Sequence, residues 1–161
     1  MKVLLLVALT SLILLPAFAV AQPGLDGIGV YFDLNGWSYE YQTSVPFEPV
    51  NAYLLATNIS DPAGISGWEC AVNMTGSPAA PQWIVSAGLN VANGAEGLFN
   101  VGIGLTPLAL PSAPAVLLAT WSGFIMAPTD IVEFLVVPYP GSVSFADTPG
   151  YASGSDAGNL I

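Results

Sequence analysis

Ile65-Ser66-Gly67-Trp68-Glu69-Cys70-Ala71-Val72-Asn73-Met74 is the stretch that decides the fold. Trp68, Cys70, Val72 and Met74 recur at every second position, opposite Glu69 and Asn73 with their neighbours. A period of two belongs to a β-strand, and an apolar side facing a polar one belongs to a sheet with one face buried. Residues 98–105 repeat the pattern, with Phe99, Val101, Ile103 and Leu105 set against Asn100, Gly102 and Gly104. Val101 is therefore expected in a core. Asn100 is expected at a surface where a carboxylate in its place is tolerated.

Working outward, Pro and Gly punctuate the chain at short intervals and helix signals are scarce. Further strands are expected at 28–32, at 38–42 after an Asn35-Gly36 turn, and at 50–57 before Asn58 and Asp61-Pro62. Others are expected at 83–86, 115–126, 131–137 and 143–145. This is the pattern of an all-β protein, a single β-sandwich of about nine strands with jelly-roll-like character. Trp68, Trp83 and Trp121 lie within apolar strands and are expected in its core.

Several of these segments resemble cohesin domains. Gly64-Ile65-Ser66-Gly67-Trp68-Glu69-Cys70-Ala71-Val72 is similar to an early cohesin strand, in which a Gly-x-x-Gly-aromatic step leads into alternation. Val116-Leu117-Leu118-Ala119-Thr120-Trp121-Ser122-Gly123-Phe124 looks like the family's LAT-containing strand. Asp130-Ile131-Val132-Glu133-Phe134 and Val143-Ser144-Phe145-Ala146-Asp147 follow in the order of its last strands, and residues 50–58 running into Asp61-Pro62 fit the strand before. The resemblance spans residues 28–150. It implies a nine-stranded jelly-roll-like sandwich, an extracellular setting and a binding role. Cohesins recruit dockerin partners, but no dockerin-contact motif is matched residue by residue, so the resemblance carries the fold and not the partner.

The first twenty-one residues have the order of a secretory signal: Lys2, an apolar run broken by Pro16, then Ala19-Val20-Ala21. Cleavage is expected after Ala21, with the product secreted, extracellular or periplasmic. An uncleaved anchor is the alternative, against which Pro16 and the small residues argue. No Cys stands near the cleavage point to carry lipid. The expected organisation is a signal peptide at 1–21, a cohesin-like sandwich at 22–150 and a Gly/Ser/Asp-rich tail at 151–161.

Lys2 is the chain's one basic side chain, there is no His, and all eleven acidic residues follow the signal. Nucleic acid and anionic membrane surfaces both require cationic side chains, so neither is an expected partner. Neutral polymers and other protein surfaces remain. The lone Cys70 precludes an intramolecular disulfide and is expected as a small buried hydrophobe.

Catalysis is not expected. Without His or Lys in residues 22–161 the usual proton shuttles, triads, Schiff-base lysines and zinc sites cannot be assembled. A carboxylate pair of the glycosidase kind survives as a distant reading, with Glu40, Glu69 and Glu133 as its candidates. No cofactor is expected beyond a structural calcium, for which Asp147, Asp156 and Asn159 in the Gly-rich end, and Asp26 and Asp33 beside the first strand, supply oxygen. Asn58-Ile59-Ser60 and Asn73-Met74-Thr75 are formal glycosylation sequons, expected to be unmodified.

Trp37, Tyr39 and Tyr41 are the candidate ligand-binding residues. Their spacing of two places all three rings on one face of an extended segment. Exposed aromatic rows hold sugar chains in many carbohydrate-binding modules; the competing account is that the rings cover the edge of the core. The expected function is a non-catalytic module that binds an extracellular protein or a neutral polysaccharide. A self-associating structural subunit of an envelope or fibre is the alternative.

Overall fold

A computed structural model describes residues 25–103, 109–145 and 147–161. The expected signal peptide at 1–21 and the last two residues of the expected 98–105 strand lie outside the described residues. Nine strands are present among those described. They are β1 (Gly27–Tyr31), β2 (Glu48–Thr57), β3 (Ile65–Thr75), β4 (Ala79–Val85), β5 (Leu89–Asn90), β6 (Leu98–Gly102), β7 (Ala115–Ile125), β8 (Glu133–Val137) and β9 (Gly150–Ser153). One antiparallel sheet has the order β1-β2-β7-β4. The other has the order β5-β6-β3-β8, with β9 also paired to β3. The chain crosses between sheets after β2, β3, β4, β6 and β7, which gives the sandwich its jelly-roll-like character.

Alternation places the core between the sheets. Val50, Ala52 and Leu54 of β2, Val116 and Trp121 of β7, Trp68, Cys70 and Val72 of β3, and Phe99 and Val101 of β6 are all buried. Aromatic rings lock the layers together. Trp83 meets Phe99 at 5.5 Å and Trp121 meets Phe134 at 5.1 Å, each edge to face across the sheets. Trp68 and Trp121 are fully buried in two adjoining clusters, and Trp83 is half-buried against both.

Bulges explain where simple alternation fails. Ser66 is an extra residue, since Ile65 pairs Ser153 while Gly67 pairs Ala152. Ile65 thereby joins Trp68 inside, and the even spacing from Ser66 to Trp68 carries no facing information. In β7, Leu54 pairs Ala119 and Leu55 pairs Leu117, so Leu118 is the extra residue and both Leu118 and Ala119 are buried. Gly64 enters β3 at φ +79, and a Cβ there would lie 1.8 Å from the Leu110 carbonyl oxygen. The backbones close on each other at a point only glycine permits.

Three expectations are corrected. Residues 38–42 form no strand, because the turn at 33–38 carries the chain off β1 before a ladder can extend. Residues 143–145 form none either; Ser142 Oγ accepts the Phe145 amide and bends the segment. Residues 151–161 are not a tail. β9 is buried throughout, and the Tyr151 amide and carbonyl exchange hydrogen bonds with Ile161 at 3.0 and 2.8 Å.

β8 and β9 lie end to end along one flank of β3. Val137 pairs Ala71 and Gly150 pairs Glu69, while residues 138–145 and 147–149 stand outside the ladder. That excursion buries Glu69, whose carboxylate accepts from Asn100 Nδ2 at 3.0 Å and from Ser142 Oγ.

Candidate functional site

The site begins with a carboxylate that shapes a loop. Asp33 follows β1 and accepts the amides of Asn35 at 2.7 Å, Trp37 at 3.2 Å and Ser38. The Phe32 amide donates to the Ser38 carbonyl at 2.6 Å and closes the turn. Desolvation pushes the Asp33 pKa up, but the amides of Ser38, Asn35, Trp37 and Gly36 outweigh it and hold the carboxyl below its ordinary value. Asp33 is thus engaged with backbone.

Beyond the turn, residues 37–43 run without ladder partners, and Tyr39 to Gln42 lie beside residues at the ends of β1 and β8. Trp37 is 82 % exposed, Tyr39 72 % and Tyr41 48 %. The account in which these rings cover the core edge is not met at Trp37 and Tyr39. Tyr41 is anchored: its ring stacks on Phe32 at 5.7 Å and its hydroxyl donates to Glu48 at 2.9 Å. Buried Thr43 also donates to Glu48. The Thr43 and Tyr41 hydroxyls hold the Glu48 carboxyl below its usual value, while the same bond to Glu48 pushes the Tyr41 phenol up.

Tyr39 and Tyr41 line a groove of about 460 Å³. Glu40 and Gln42 share their wall, Phe32 lies at the end of β1, and Val132, Glu133 and Phe134 face them from β8 and the residue before it. Phe32 and Phe134 meet edge to face at 6.5 Å. A narrower recess behind Tyr41 continues inward past Thr43 and Val132 to Trp121. Trp37 is not part of the groove lining, so the three rings do not form the single row that a strand would have given.

The groove holds two of the three carboxylates considered for catalysis. Glu40 and Glu133 line it, and Thr75 Oγ1 donates to Glu133 at 3.3 Å. Glu69 is elsewhere, buried and capped by Ser142. The acidic groups considered for calcium are not gathered. Asp26 accepts the amide and hydroxyl of Ser60, and Asp156 accepts the Gly158 amide at 2.9 Å. Among the described residues, no three His, Cys, Asp or Glu side chains converge as a metal site.

Comparison with protein families, curated proteins and solved structures finds no match to this chain. The site rests on its own chemistry.

Phe32, Gln42, Val132 and Phe134 belong to the groove and were not among the sequence candidates. Phe32 and Phe134 stand about a hundred positions apart in strands that read as core, and only the packing of one sheet on the other joins them. Cys70 is buried and its thiol is pushed up to about 12, by burial first and by the nearby Glu69 carboxylate second.

Proposed function

We propose that this protein is a secreted, non-catalytic binding module of cohesin-like architecture that holds a neutral glycan against Tyr39, Tyr41 and Trp37. The observation that carries the reading is the exposure of Tyr39 and Tyr41 in the wall of an aromatic-lined groove, with Trp37 exposed two residues before Tyr39, while the remaining tryptophans are interlocked inside. Pyranose rings have apolar C–H faces and hydroxyl rims. The tyrosine rings suit the faces, and Glu40, Gln42 and Glu133 suit the rims. Glu40 and Glu133, with no basic side chain anywhere after Lys2, disfavour uronates and sulfated chains. Binding then depends little on salt, because no ion pair is present to be screened.

The test is retention by uncharged and by anionic polysaccharides, for the parent and for Trp37→Ala and Tyr39→Ala. The expected result is retention by an uncharged chain alone, weakened about tenfold in each variant, as for an aromatic hot spot. Parent protein that no uncharged polysaccharide retains, or variants that bind as the parent does, would overturn the reading. Secretion is checked separately: protein recovered outside the cytoplasm should begin at Gln22 by intact mass.

A further inference from the structure

The outer face of β2, β7 and β4 lies apart from the groove and carries a second pattern. Asn51 pairs Ser122 and Ser122 pairs Gln82, so three amide and hydroxyl side chains form a row across three strands. Adjacent strands lie about 4.8 Å apart, which makes the row roughly 10 Å long, on the scale of a disaccharide. Pro49 and Phe124 border it on one side, and Tyr53, Thr120 and Ile84 on the other. None of these side chains is charged, although the chain carries eleven carboxylates.

The row has hydrogen-bonding capacity to spare. Ser122 Oγ donates to Asn51 Oδ1 at 2.7 Å, a bond that uses neither the Asn51 amide protons nor the Ser122 lone pairs. Gln82 is exposed, and Phe124 stands 42 % exposed beside it.

A strained bulge shapes this surface. Ala79 pairs Phe124 and Gln82 pairs Ser122, so β4 spends an extra residue here. Ala80 sits at φ +49, in the left-handed region that a Cβ disfavours, and Pro81 follows it. The bulge bends the edge strand and opens a shallow depression of about 250 Å³ beside Asn51, Gln82, Ser122 and Phe124. Backbone strain of this kind concentrates at binding sites, and bulges re-aim side chains there. Pro81 also lacks the N–H that an added strand would need, so this edge favours contact through the face over contact by strand addition.

The geometry points to a second binding surface, on which the outer face of β2-β7-β4 docks a flat, uncharged, extended polysaccharide. The apolar borders lie under sugar rings and the Asn51–Ser122–Gln82 row meets their hydroxyl rims. A second copy of this chain is disfavoured as occupant, because each copy brings its eleven carboxylates and no compensating cation beyond Lys2. The surface does not rest on the groove reading.

Microcrystalline cellulose, a flat uncharged surface, and a soluble uncharged glucan separate the two. The Gln82→Ala/Phe124→Ala double variant should lose at least tenfold in retention on cellulose, with its melting temperature and its binding of the soluble chain unchanged. Tyr39→Ala, in the groove lining, should show the opposite pattern. The inference is overturned if cellulose does not retain the parent, or if the double variant is retained equally. It is also overturned if sedimentation shows a dimer that the double variant abolishes, which would assign the face to a second copy. Loss of soluble-chain binding in Tyr39→Ala, with cellulose retention unaffected by either variant, would sink this surface and leave the groove standing.

Discussion

Two aromatic groups in this molecule share residue types and meet opposite fates. Trp68, Trp83, Trp121, Phe99 and Phe134 interlock at centroid distances from 5.1 to 6.1 Å between the sheets. Trp37 and Tyr39 stand in solvent, and Tyr41 is tethered by one stacked ring and one hydroxyl. Ring chemistry does not separate these groups. Ladder partners do: the interior rings stand in strands paired along both flanks (β3, β6 and β7) or along one (β4 and β8), whereas residues 37–43 are paired along neither. A strand held on both sides has its inward side chains fixed by the pleat. A segment held by Asp33, by Glu48 and by the Phe32–Tyr41 stack leaves Trp37 and Tyr39 free for a ligand.

The largest expected effect attacks that contrast directly. Trp68→Ala should cost about 3–5 kcal/mol of stability through the cavity left behind. Trp37→Ala should change it by less than about 0.5 kcal/mol. Urea unfolding of both variants checks this, and equal losses would break the comparison.

Alkali should expose the same core. Because burial raises the Cys70 thiol from 9.0 to about 12, the stability linked to its neutral form is complete below pH 9 and is lost as pH rises towards the folded value. That loss approaches about 4 kcal/mol at the upper end. A Cys70→Ala variant should decline less steeply with pH, and a thiol reagent at pH 8 should modify the parent only after denaturant is added.

A middle-sized effect belongs to Glu69. Glu69→Ala should cost about 1–3 kcal/mol by leaving Asn100 and Ser142 without their acceptor. Asn100→Asp, harmless by the sequence argument, should also destabilise, since its carboxylate would face that of Glu69 in place of an amide donor. Asn73→Asp, on the exposed side of β3, is the neutral control in thermal melts. The smallest effect lies in the loop. Glu48 has a depressed pKa, so its contribution holds above about 4.5 and fades as pH falls through the lower folded value. The NMR signals of Tyr41 should shift on acidification while those of Trp68 stay fixed.

The sandwich was legible because Trp68, Cys70, Val72, Phe99 and Val101 alternate without interruption on the side that meets the other sheet; that the opposite side of β3 is also buried, at Glu69 and Ala71, was not. The bulges at Ser66 and Leu118 were not, because each adds one residue to a run whose composition does not change. β9 was hidden by its Gly- and Ser-rich composition, which resembles a linker; its burial comes from pairing with β3 and with Ile161. At the site, the period of two drew attention to Trp37, Tyr39 and Tyr41 through a strand that does not form. The rings are exposed for a different reason, the Asp33 turn. The groove's other wall depends on contacts between β1 and β8 that no local pattern encodes.

The excursion between β8 and β9 makes the protein a natural display frame. Its two ends are fixed at Ala71 and Glu69, two positions apart on one strand and therefore only roughly 7 Å from each other. A peptide of almost any length can close such a gap, since each doubling of loop length adds only about 0.6 kcal/mol. Foreign sequence grafted in place of residues 138–149 would leave both flanking ladders in register. A serine retained at the position of Ser142 would keep the graft clipped to Glu69, turning a buried carboxylate into an anchor for new cargo.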